Sequence, residues 1–114
     1  MNNKEILLKA NEQISKGNYD GFLNYCTEDT RWEFIGEQTL NGKVEIKAYM
    51  KAAYLKPPKV AVDQLITEGD FLVAQGTIEL LDADGTWKGY DYCDVWQIFD
   101  GKLASLKAYV VPRN

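Results

Sequence analysis

The sequence predicts an α+β domain in which helices precede and then pack into a curved, mainly antiparallel sheet. Three observations predict it. Apolar residues recur at helical spacing in the first half of the chain, at Ile6, Leu7, Ala10 and Ile14 and again at Ile46, Tyr49, Met50 and Ala53. From Val60 onward the chain reads as long β-rich runs broken by Gly-containing turns: Gly69-Asp70, Asp82-Ala83-Asp84-Gly85 and Asp100-Gly101. Pro57-Pro58 separates the two regimes, because proline cannot continue a helix and forces extended backbone before it. Helices gathered on one side of an antiparallel sheet define this class. A strongly bent sheet wrapped on helices encloses a conical cavity, where small-molecule sites tend to lie.

Taken in order, helices are expected at about residues 3–16, 20–26 and 43–55. Gly17-Asn18 stops the first, Phe22, Leu23 and Cys26 face inward from the second, and Asn41 or Gly42 starts the third. A short strand at 30–35 places Trp32 and Phe34 on one face and Arg31, Glu33 and Ile35 on the other. Four strands follow, at 60–67, 71–81, 86–99 and 103–111. At 114 residues, with no repeat or linker, the chain 1–114 is one domain with room for a real core.

Composition narrows the function. A net charge of −4 and only two arginines, Arg31 and Arg113, leave no basic stripe for nucleic acid. No run approaches the ~18 apolar residues of a membrane span, and the opening Met1-Asn2-Asn3-Lys4-Glu5 is not a signal peptide, so the expected location is cytoplasmic. There is no histidine, which removes imidazole acid/base chemistry and Ser-His-Asp or Cys-His nucleophiles. No calcium-loop or Gly-rich phosphate-loop spacing occurs, so no metal or organic cofactor is expected. Cys26 and Cys93 lack paired spacing and read as small buried hydrophobes. Any acid/base work falls to Asp, Glu, Tyr or Lys.

Two carboxylates stand out. Asp94 shares a strand face with Tyr90, Tyr92, Trp96 and Ile98. Its direction depends on the turn that follows. With Asp100-Gly101 as a two-residue turn, Phe99 pairs with Lys102 and Asp94 faces Lys107 on a solvated face. With Phe99-Asp100-Gly101 as a three-residue loop, Ile98 pairs with Lys102, and Asp94 joins Ala104, Leu106, Ala108 and Val110 inside the cone. Turn chemistry permits both. The mix of large residues on one strand with small ones on the other favours the second, and puts Val95, Gln97, Phe99, Leu103, Ser105 and Tyr109 on the outer face. Glu33 reads either as a rim glutamate beside Arg31 or as a base at the mouth of a pocket.

The two short helices, the Trp32-Glu33-Phe34-Ile35-Gly36 strand, the Asn41-Gly42 helix start and the run from Asp94 to Leu103 together resemble the nuclear transport factor 2-like superfamily, with its cystatin-like cone. Within it the chain is most similar to SnoaL-like polyketide cyclases and ketosteroid isomerases, and the likeness covers nearly the whole chain. The resemblance implies a homodimer through the sheet's outer face. It implies that Asp94 is the pocket acid and Glu33 the proton-shuttling carboxylate, and it supports the inward register. The isomerase's helix-one tyrosine falls on Ala10 and its helix-three tyrosine on Met50, and the cyclase's histidine has no counterpart; Tyr92 is the hydroxyl nearest Asp94 in the pattern. Two functions follow as expectations. One is binding of a small hydrophobic molecule in a pocket lined by Trp32, Tyr49, Met50, Trp96, Leu106 and Ala108. The other is proton transfer next to a carbonyl, of isomerase, dehydratase or cyclase type, by Asp94, Glu33 and Tyr92.

Overall fold

A computed structural model describes residues 1–113. Helix α1 (Asn3–Ser15) begins at Asn2, whose side chain accepts a hydrogen bond from the Glu5 amide, and buries the expected stripe Ile6, Leu7, Ala10 and Ile14. Helix α2 (Tyr19–Leu23) is capped in the same way by Asn18, and buries Phe22 and Leu23. Helix α3 (Gly42–Ala53) starts after Asn41, whose amide donates to Glu45 Oε1 at 2.8 Å. Ile46 and Met50, one turn apart, point it into the core at 0% exposure.

Six strands form one sheet: β1 (Cys26–Phe34), β2 (Gln38–Asn41), β3 (Lys59–Glu68), β4 (Phe71–Leu81), β5 (Trp87–Phe99) and β6 (Lys102–Pro112). Their order is β2-β1-β6-β5-β4-β3. The last four strands run antiparallel as the turns require, while β1 lies parallel to β6 and pairs antiparallel with β2. Strand β2 was not expected: it is four residues long with only Leu40 buried, and its sole local signal is the turn after Gly36, which takes φ 82°. The early strand is also longer than expected, reaching back to Cys26.

Three register shifts bend the sheet, as bulges do. One lies in β1 between Cys26 and Arg31, and one in β3 between Val62 and Gln64. At the β3 shift the backbones approach so closely that a Cβ on Gly76 would collide with the Ala61 carbonyl, which only glycine avoids. The third shift corrects the hairpin. The turn is the two-residue Asp100-Gly101 type, with φ 52° and 75° and Phe99 paired to Lys102, not the three-residue loop favoured by pattern. Ile98 pairs with Leu103 but Gln97 pairs with Ser105, so Ala104 is an extra residue in β6. Beyond it Asp94 lies opposite Ala108, on the inward face. Because the bulge falls after Leu103 rather than before it, Leu103 stays inside at 0% exposure instead of joining the outer face.

One apolar cluster packs within the cone between helices and sheet, from Leu7 and Phe22 through Ile46 and Met50 to Leu72, Trp96 and Leu106. Aromatic edges lock it: Trp32 meets Phe22, Phe34 and Trp96 at centroid distances of 5.7, 6.2 and 6.1 Å in T-shaped contacts.

Candidate functional site

The core does not fill the cone. A hollow of about 90 Å³ remains against the concave face of the sheet. Alternation along β5 points Tyr92, Asp94 and Trp96 into it, and β6 contributes Leu106, Ala108 and Val110. Strand β1 supplies Trp32 and Phe34, and the helical side is closed by Asn11, Ile14 and Tyr54.

Most of this lining is hydrocarbon, and among the described residues Asp94 is the one carboxylate in it. Burial pushes its pKa up to about 7. The group therefore keeps its proton to a far higher pH than an ordinary carboxyl. Asn11, Trp32, Tyr54 and Tyr92 bring polar groups to the same hollow. The Tyr92 hydroxyl and the Trp32 indole N–H are buried without a hydrogen-bond partner, a costly condition that a ligand oxygen would relieve. Burial raises the Tyr92 phenol to about 12, and the nearby Asp94 charge adds to this, so it stays a donor. Burial likewise raises Tyr54, with Tyr49 and Asp94 contributing.

A second hollow of about 220 Å³ adjoins the first. Phe34, Tyr54, Ile78 and Val110 border both, and Glu37, Tyr49, Tyr90 and Leu80 border the outer one alone.

The expected site residues therefore divide. Asp94, Tyr92, Trp96, Trp32, Leu106 and Ala108 come together around the inner hollow. Tyr49 borders the outer one. Met50 does neither: it points straight from α3 into packed core, because the position facing the sheet on that helix leaves no space beneath it. Glu33 does not reach the mouth. Strand alternation sends it to the face opposite Trp32 and Phe34, where its Oε1 lies 3.5 Å from Arg31 Nη1. Tyr54, Asn11 and Ile78 were not singled out from sequence. Of these only Tyr54 carries a signal, an aromatic residue at a helix end just before Pro57-Pro58. Among the described residues no cluster of three or more His, Cys, Asp or Glu side chains is placed to hold a metal ion, and no helix is long and apolar enough to cross a membrane.

A SnoaL-like domain profile matches residues 8–106. The chain belongs to the SnoaL-like family. Solved structures agree on the fold. A nuclear transport factor 2-like protein from Burkholderia pseudomallei superposes with a TM-score of 0.84 at 19% identity, over 95% of this chain and 89% of that one. A putative SnoaL-like polyketide cyclase from Jannaschia gives 0.79 at 17% identity, over 95% and 84%. An LEH-like epoxide hydrolase from M. tuberculosis gives 0.82 at 13% identity, over 93% and 80%. At such identities the likeness speaks for the fold alone, which is nuclear transport factor 2-like. No curated protein matches the chain.

Proposed function

We propose that this SnoaL-like protein binds a small, largely apolar molecule whose oxygen docks against Asp94. The observation that carries the reading is the unpartnered state of the polar groups in an otherwise apolar hollow: a carboxyl at about 7, beside a phenol and an indole N–H with no acceptor. Protonated Asp94, Tyr92 and Trp32 are all donors, so the complementary group is an acceptor such as a carbonyl or ether oxygen. Apolar walls supply affinity and the few polar groups supply orientation.

A second reading is favoured by the same carboxyl. A group titrating near neutrality is suited to give and take a proton in one turnover, and a placed acid/base is worth ~10²–10⁴ in rate. With Glu33 on the other side of the sheet, the two-carboxylate shuttle expected from the isomerase resemblance lacks its second member. Proton transfer next to a carbonyl would then rest on Asp94 alone, with Tyr92 donating to the oxygen. The Jannaschia protein's cyclase and the M. tuberculosis protein's hydrolase descriptions are both compatible with a pocket acid, but fold does not choose the reaction.

Titration with neutral cyclic enones tests both readings, following tryptophan fluorescence for Trp32 and Trp96. Saturable quenching that weakens in Tyr92→Phe and changes its pH dependence in Asp94→Asn is expected; no saturable change with any enone would refute binding. Deuterium exchange beside the bound carbonyl, lost in Asp94→Asn, would mark catalysis rather than binding.

A further inference from the structure

We propose that the occupant is an elongated molecule threading both hollows, with a neutral oxygen-bearing head inside, an apolar middle, and a far end that carries no negative charge. This rests on the reading that the inner hollow receives a ligand at Asp94. Size gives the first argument. The inner hollow offers about 90 Å³, well under the ~300–1,000 Å³ of pockets that enclose whole drug-sized ligands. It holds a head group, and the adjoining hollow of about 220 Å³ takes the rest.

The boundary the two hollows share, taken here as the passage, has a defined chemistry. Phe34, Tyr54, Ile78 and Val110 border both spaces, so a chain crossing from one to the other would pass two aromatic rings and two branched aliphatic chains. The ring side is braced: Tyr54 packs on Tyr19 at 5.8 Å and against Tyr49 at 6.2 Å, and Tyr49 packs on Phe34 at 5.0 Å. A passage of this kind accepts a hydrocarbon chain and penalises a polar one, which would lose its water without gaining a partner.

Charge fixes the two ends. No lysine or arginine borders either hollow among the described residues. A carboxylate or phosphate head would therefore meet the Asp94 carboxyl with no countercharge. At the outer end the Glu37 carboxylate stands beside Tyr49 and Tyr90; burial raises the Tyr49 phenol, and the Glu37 charge adds to that. An ammonium or hydroxyl finds an acceptor there, and an anion finds repulsion.

A series of cyclohexenones tests this, unsubstituted or carrying a chain that ends in methyl, ammonium or carboxylate, with Kd read from tryptophan quenching of the wild-type chain. Affinity should rise with chain length by up to about fourfold per methylene buried in the passage. The ammonium-ended member should bind about threefold to fivefold tighter than the carboxylate-ended one, the size of an exposed charge contact, and Glu37→Gln should erase that difference. Asp94-dependent binding of the unsubstituted enone with no gain from any chain would overturn the threading and leave the inner site intact. A carboxylate-ended chain that binds best would overturn the charge assignment. Failure of every member, the unsubstituted enone included, would remove the inner site and the threading together.

Discussion

Asp94 stands opposite Ala108 across the β5–β6 ladder, one residue out of step with the turn that joins the two strands. The turn alone, pairing Phe99 with Lys102, would have set Asp94 against Lys107. Ala104, the extra residue, moves everything beyond it by one place and so exchanges the faces of β6 relative to β5. The cone's acid thus owes its inward direction to an alanine four residues from Ala108 along the strand.

Deleting Ala104 should therefore damage the molecule far more than the loss of one half-buried methyl group. Either Leu103 leaves the core, or Leu106 and Ala108 exchange places with outward residues such as Lys107. The expected cost is ~3 kcal/mol or more, the scale of losing a large buried aliphatic side chain, read as a fall in the denaturant midpoint. A deletion variant within ~1 kcal/mol of the parent would show that the bulge does not set the register.

Asp94 should make the protein less stable as pH rises, contrary to the usual carboxylate. Its pKa lies at about 7 in the fold against an ordinary 3.8, so between those values the folded state holds a proton that the unfolded chain has released. The stabilising contribution is complete below about pH 4 and is lost as pH climbs through 7, where the charged form is buried; it amounts to roughly 4 kcal/mol. Asp94→Asn should match the parent near pH 4 and exceed it at pH 8, in paired urea titrations. Equal difference at both pH values would mean that Asp94 is ordinarily solvated.

Much of this arrangement is legible in sequence because it follows from period and punctuation. The stripe Ile6, Leu7, Ala10, Ile14 and the helix stop at Gly17 are local, and so are the strands after Pro58. The inward face of Asp94 follows from pattern, which sets Trp96 and Leu106 together, but the two-residue turn plus bulge that achieves it does not. A bulge at Ala104 has no composition of its own. Tyr54 was missed for a related reason. It lies one residue beyond α3, where helical spacing no longer assigns a face, and only the path of the chain towards Pro58 carries its ring over Asp94's hollow. Glu33 reads from sequence either as a rim residue beside Arg31 or as a base at the pocket mouth, and alternation sets it opposite Trp32, beside Arg31.

Glu33 should accordingly be dispensable to the pocket. Its ion pair with Arg31 is long at 3.5 Å and partly solvated, and such pairs contribute ~0–1 kcal/mol. Glu33→Gln should leave stability within that range and leave enone affinity and its pH profile unchanged. A shift in the pH profile would bring Glu33 back to the site.

The convex face should bring two copies together. Parity along the ladders places Ile66, Val73 and Val95 in one row, with Phe71 and Phe99 towards the turn end and Tyr109 and Val111 beyond. Phe99 is 69% exposed, Val111 61% and Ile66 58%. Single exposed hydrophobes are ordinary, but this many large ones on one sheet face are the pattern of a covered surface, even with Gln75, Gln97 and Ser105 among them. Lys107 lies in the same row as Val95, so a partner must leave its ammonium at the rim or supply an acceptor. Light scattering at micromolar concentration should give twice the 13.0 kDa chain mass, and Tyr109→Glu, which sets a charge in the band without touching the cone, should return it to the single-chain value. A wild-type chain that scatters as a monomer would show that the band stays in water.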